Sequence, residues 1–193
     1  MIQAAAQPRR FLNPQDGYVH VQVTQGETWV TADAREVLTT VLGSCIAACL
    51  HDPVAKVGGM NHFLLPDGGG QDRAARYGVN AMEILINGLL RQGAARARLE
   101  AKLFGGASVI AGLSDVGAGN VAFAEKFLAD EGIALVGGDV RGTRARRVQF
   151  WPVSGRARQL AVSDGRTLAA RELMVAEATL QQESEAPHDV ELF

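Results

Sequence analysis

Two residues within positions 39–66, TTVLGSCIAACLHDPVAKVGGMNHFLLP, have side chains that do covalent chemistry together: Cys45 and His62. A thiol attacks carbonyl carbon only as the thiolate, and an imidazole within hydrogen-bond reach is the usual means of making one near neutral pH. Cys45 follows a tight Gly43–Ser44 bend whose small residues let a substrate and the backbone come close, and whose N–H groups could line an oxyanion site. An isolated Cys beside an apolar run is more often a small buried hydrophobe than a nucleophile, and a single His on an apolar strand is more often structural. The chemistry requires that the two runs pair as neighbouring strands, in a register that sets Cys45 and His62 face to face.

The elements that must position this pair can be read from patterning. Alternation of Val19, Val21 and Val23 against Tyr18, His20 and Gln22 predicts a half-buried strand, with His20 on its solvent side. Gly26 turns the chain into a second short strand over 27–32. Residues 39–42 lead into the Gly-Ser-Cys bend. Positions 46–51 continue as a buried strand that Asp52-Pro53 stops, and 57–65 form the strand carrying His62. After a loop at 67–70, with Asp72 as N-cap, Tyr77, Ala81, Ile84, Leu85 and Leu89 mark a helix over 73–92 closed by Gly93. Further strands are expected at 99–103, 133–136, 148–153 and 158–162, with a helix from an Asn120 cap to 130 and a last helix over about 167–181. Many strands with few helices favour an α+β fold over a doubly wound sheet. The organisation expected is a mobile segment 1–16, one domain over 17–181, and an acidic, disordered tail 182–193.

The stretch around the pair closely resembles the CheD family, the chemoreceptor glutamine deamidases of bacterial chemotaxis. The resemblance rests on Leu42-Gly43-Ser44-Cys45 and on Gly58-Gly59-Met60-Asn61-His62-Phe63-Leu64-Leu65-Pro66, with further matches at 101–107 and at Gly119-Asn120. It implies a three-layer α/β/β sandwich of mixed sheets in a single domain. It also implies a reaction: Cys45 is the nucleophile, His62 the general base and acid, and Thr39, six residues before the Cys, the group that orients the imidazole. Thr40 is equally capable by type. Gly43 and Ser44 belong to the oxyanion site, and Asn61 either meets the substrate or pins its own strand. The implied substrates are glutamines on the cytoplasmic domains of chemoreceptors, which become glutamates. The implied setting is cytoplasmic, at the receptor array. Arg141, where Gly is common, and Ala145, where a Gly-Arg pair usually begins, depart from the family pattern and bear on the loop they share.

The other residues narrow the chemistry. Cys49, four positions after Cys45 inside an apolar run, reads as core packing, and two cysteines make no disulfide framework. Cys45, Cys49 and His51 are too few ligands on too straight a segment for a tetrahedral zinc site, so neither metal nor cofactor is expected. Gly105-Gly106 and Gly117-Ala118-Gly119 lack the pattern of a phosphate loop and read as close-packing turns. With 47% apolar and 21% charged residues the chain is neither disordered nor membranous, and it has no secretory signal pattern. A net charge of −2 gives no case for nucleic acid. The six arginines over 141–158 could meet an acidic receptor bundle, although such a run more often marks a solvated sheet edge. Two rival readings remain: a binding module that docks and stimulates a CheC-type phosphatase, and a Cys-His hydrolase of small amides. An intact Thr39, Cys45 and His62 favours an enzyme over the binding module, because a pure binder needs no reactive thiol.

Overall fold

The structure, a computed structural model, describes residues 8–65, 71–108, 116–162 and Met174. The expected loop at 67–70, the Asp72 side chain, the acidic tail and, apart from Met174, the last helix lie outside the described residues. Among the described residues, ten strands form two five-stranded mixed sheets, and helices α1(Gln71–Arg91) and α2(Val116–Asp130) cover one of them. The first sheet has the order β1(Arg9–Leu12), β2(Val19–Gln22), β4(Glu36–Leu42), β9(Arg146–Trp151), β10(Arg156–Ala161). The second has the order β3(Thr28–Thr31), β6(Val57–Asn61), β5(Ile46–Asp52), β7(Glu100–Gly105), β8(Ala134–Val140). Only β2–β4 and β7–β8 are parallel. The fold is therefore α+β, a three-layer α/β/β sandwich.

The layers follow from alternation along β5, which is buried on both faces. Ile46, Ala48 and Leu50 point to a core shared with helices α1(Gln71–Arg91) and α2(Val116–Asp130), through Met82, Leu85, Ile86, Leu89, Val121 and Leu128. Ala47 and Cys49, with Cys45 just ahead of the strand, point into a second core between the sheets, among Val21, Leu38, Met60, Val148 and Phe150. A fully buried side chain of this size contributes roughly 1.5–3 kcal/mol, so a one-residue slip of β5 would exchange both cores at once.

Four local expectations are revised. Residues 9–12, expected to be mobile, form β1, antiparallel to β2 with Phe11 opposite His20. The Phe11 ring stacks on the His20 ring at 5.6 Å, and His20 Nε2 lies 2.8 Å from Asp16 Oδ2, so His20 is buried rather than on the solvent face. Helix α2 begins at Val116, so Gly117, Gly119 and Asn120 lie inside it. A Cβ on Gly117 would stand 2.7 Å from the Gly106 carbonyl oxygen; close packing there outweighs glycine's poor helix propensity. Strand β8 runs to Val140 through Gly137 and Gly138, residues that hide a strand from pattern reading.

Candidate active site

The site lies between the two sheets, where the Gly43–Ser44 bend enters β5. β5 and β6 are antiparallel with Cys49 opposite Met60, and a bridge between Ile46 and Phe63 continues the same register. That register sets Ala47 opposite His62 and Cys45 opposite Leu64. Met60 and Leu64 line the inter-sheet core with Cys45, and His62, spaced two from each, shares their face. Cys45 and His62 are thus diagonal neighbours on one face, the separation across which long side chains meet. His62 itself follows the last residue of β6.

The imidazole is held from the opposite sheet. Thr40 Oγ1 stands 2.9 Å from His62 Nδ1, and the Val23 carbonyl oxygen lies 3.4 Å from the same nitrogen. A carbonyl can only accept, so these two oxygens favour the tautomer with hydrogen on Nδ1 and the lone pair on Nε2. Thr39 does not occupy this place. On β4 it points to the other face, its hydroxyl donating to the Val21 carbonyl at 3.4 Å. Thr39 and Thr40 differ by one position, and strand alternation sends only Thr40 between the sheets.

The bend is tied by its carbonyls. Gly43 O accepts from Ala107 N–H at 2.8 Å, and Cys45 O from Gly106 N–H at 2.7 Å. Gly105, at φ 109°, lies so close that a Cβ there would fall 2.1 Å from Cys45 O, which restricts the position to glycine. The Gly-Gly pair that ends β7 is therefore a packing surface for the backbone of the thiol residue. Ser44 O accepts from Asn120 Nδ2 at 2.9 Å, while Asn120 Oδ1 accepts from Leu65 N–H at 2.8 Å. One fully buried carboxamide on α2 thus spans the Cys45 bend and the His62 segment. In the sequence Asn120 resembled a helix cap; its clamp depends on α2 beginning four residues earlier.

Asn61 is not brought to the thiol. Its carboxamide points to the helical layer, accepting from Ala48 N–H at 3.0 Å and donating to the Ala81 carbonyl at 3.0 Å. The two thiols also differ in setting. Cys49 pairs with Met60 and Lys102 on neighbouring strands, and burial pushes its thiol well above the ordinary range. The Cys45 thiol donates to Gln25 Oε1 at 3.6 Å, a contact that nothing in the sequence pattern announced.

Among the described residues no group of His, Cys, Asp and Glu could hold a metal ion, and no helix is long and apolar enough to cross a membrane. Much of the arginine run is engaged within the fold. Arg141 makes two hydrogen bonds to Glu125 at 2.9 Å, the buried Arg146 binds the carbonyls of Asp139 and Arg141, and Arg156 lies over Trp151 at 4.3 Å. Arg141 has φ 70°, a left-handed conformation that explains why glycine suits the position, and its guanidinium pairs with Glu125.

The family model described as CheD, chemotactic sensory transduction, matches residues 64–160. The chain is 64% identical over 148 residues to a protein of Caulobacter vibrioides (strain NA1000 / CB15N), covering 75% of this chain and 79% of that one. The chain belongs to the CheD family. That relative carries the name "Probable chemoreceptor glutamine deamidase CheD", as do one of Acidiphilium cryptum (strain JF-5) and one of Rhizobium leguminosarum bv. trifolii (strain WSM2304). The Acidiphilium protein is 62% identical, with 72% of this chain and 76% of that one covered. The Rhizobium protein is 57% identical, with 76% and 82% covered. Among solved structures, Neisseria meningitidis protein NMB0706 (family model DUF152) aligns over 66% of this chain and 64% of its own at 12% identity, with a TM-score of 0.43; that distance lends the CheD site no support.

Proposed function

We propose that this CheD-family chain is a protein-glutamine deamidase of chemotaxis, acting at the receptor array on glutamines of chemoreceptor cytoplasmic domains. The observation that carries the reading is the shared face of Cys45 and His62, with Thr40 on the far side of the imidazole. In the reaction His62 Nε2 takes the thiol proton and the Cys45 sulfur attacks the carboxamide carbon. N–H groups of the Gly43–Cys45 bend receive the charge that develops on the oxygen. His62 then returns its proton to the departing ammonia, leaving a thioester on Cys45. Water, deprotonated by the same nitrogen, cleaves the thioester and leaves glutamate and the free thiol. Thr40 keeps the ring in the tautomer that both half-reactions require. Being uncharged, it orients the imidazolium without strongly stabilising it.

The test is incubation with a purified receptor cytoplasmic domain, followed by peptide mass analysis for glutamine-to-glutamate conversion. Wild type should convert defined glutamines and Cys45→Ala should convert none; equal conversion by both would overturn the reading. Binding to a CheC-type phosphatase that raises its activity, with no conversion of receptor by wild type, would instead support the binding-module alternative.

A further inference from the structure

We infer that the carboxamide of Gln25 occupies the subsite for the substrate's own carboxamide, as a side-chain gate that an incoming glutamine must displace. The inference rests on the deamidase reading for the identity of the substrate, but the contact itself does not. Gln25 carries the same functional group as the proposed substrate, on an equally long side chain, and its Oε1 accepts from the Cys45 thiol. It reaches the thiol from the turn Thr24-Gln25-Gly26-Glu27, closed by Glu27 N–H to the Thr24 carbonyl at 3.0 Å. Gly26 has φ 84°, which fits the third position of a type II turn.

The turn is fastened to the base itself. Gly26 N–H donates to the His62 carbonyl at 2.7 Å, and His62 N–H donates to the Glu27 carbonyl at 3.1 Å. The backbone is held after Gln25 by these bonds and before it by Val23 N–H, which donates to the Thr39 carbonyl at 2.9 Å, so the side chain, with its rotatable bonds, is the part that can leave. Cys45 is fully buried whereas Gln25 is partly exposed, so a withdrawn Gln25 side chain would open a way to the sulfur from the solvent side. The contact also has a chemical sense. A carbonyl oxygen accepts from S–H but has nothing to offer a thiolate, so Gln25 in place favours the resting neutral thiol. The sulfur meets the oxygen side of the amide, a hydrogen-bonded ground state and not an approach to the carbon.

The test is alkylation of Cys45 by iodoacetamide, read by peptide mass analysis in the full chain without any receptor. Gln25→Ala should speed Cys45 labelling by about 2- to 10-fold, the range set by one net hydrogen bond. Gln25→Glu should slow it, more at pH 7 than at pH 9, because a carboxylate beside the sulfur opposes the thiolate. With receptor as substrate, Gln25→Ala should lower KM with little change in kcat, since the internal competitor is gone. Unchanged labelling in both variants, or a raised KM in Gln25→Ala, would overturn the gate. Recovery of residue 25 as glutamate from wild type, but not from Cys45→Ala, would also overturn it, because the internal amide would then be a substrate. Faster labelling in Gln25→Ala without receptor conversion by wild type would keep the gate and discard the deamidase.

Discussion

Cys45 and Cys49 sit four residues apart, face the same inter-sheet core and are both buried, yet their surroundings assign them different chemistry. Cys49 is flanked across its strands by Met60 and Lys102, and burial raises its thiol against the opposing pull of the Lys102 charge, holding it protonated. Cys45 lies at the strand's entrance, diagonal to an imidazole whose far nitrogen is held by Thr40, and against the carboxamide of Gln25. Burial therefore does not distinguish the two thiols. The separation comes from polar groups that can take a proton or meet an amide, delivered by elements distant in sequence.

The comparison is broken most severely by removing the proposed base. His62→Ala should lower receptor deamidation by ~10²–10⁴-fold, the usual worth of acid–base help, while leaving Cys49 as unreactive as before. A loss under threefold would dissociate the thiol from the imidazole. Next in size, Thr40→Ala should cost about 10-fold in kcat through a mis-set ring, and Thr40→Ser should restore most of it. Thr39→Ala should stay within about twofold, because its hydroxyl bonds to a backbone carbonyl on the other face. The reverse ranking of the two threonines would contradict the geometry.

Asn120→Ala sharpens the contrast from behind the site. It leaves Ser44 O and Leu65 N–H without this partner, costs roughly 1–3 kcal/mol of stability, and should lower kcat more than it raises KM. The other end of β5 supplies a control in pH. Asp52 is buried, which pushes its carboxyl up. Hydrogen bonds from the Arg98 guanidinium and the N–H groups of Ala55, Ala95 and Val54 outweigh that and hold it well below its ordinary value of 3.8. A carboxyl with a lowered folded-state pKa adds stability above its unfolded value and loses it as pH falls through the folded value. Arg98→Ala should therefore destabilise by on the order of 2 kcal/mol near pH 7, with the gap from wild type closing in strong acid. Denaturant melts at both pH values read this, and a gap independent of pH would refute it.

Much of this arrangement was legible before any coordinates. The apolar runs over 46–51 and 57–65, separated by Asp52-Pro53, announced β5 and β6, although β6 ends at Asn61, short of the expected 65. The motif residues around Cys45 and His62 announced the pair. What stayed hidden depends on which face a residue takes and on contacts between distant segments. Thr39 and Thr40 are one position apart, and only the packing of β4 against the second sheet decides which meets the imidazole. β1, with the sequence RRFL, has no alternation of its own and exists through pairing with β2. Asn120 lies inside α2, not at its cap, where Gly117 packs close against Gly106. Gln25 reaches the thiol only because its turn is bonded to the backbone of His62.

The measurement that tests the division between the thiols most directly is receptor deamidation by Cys45→Ala and Cys49→Ala side by side, each checked for native stability. Cys45→Ala should give no conversion, and Cys49→Ala should retain activity within a few-fold while melting earlier by about 1 kcal/mol from its small cavity. Activity surviving in Cys45→Ala, or lost in a fully folded Cys49→Ala, would contradict the assignment of Cys45 as the nucleophile.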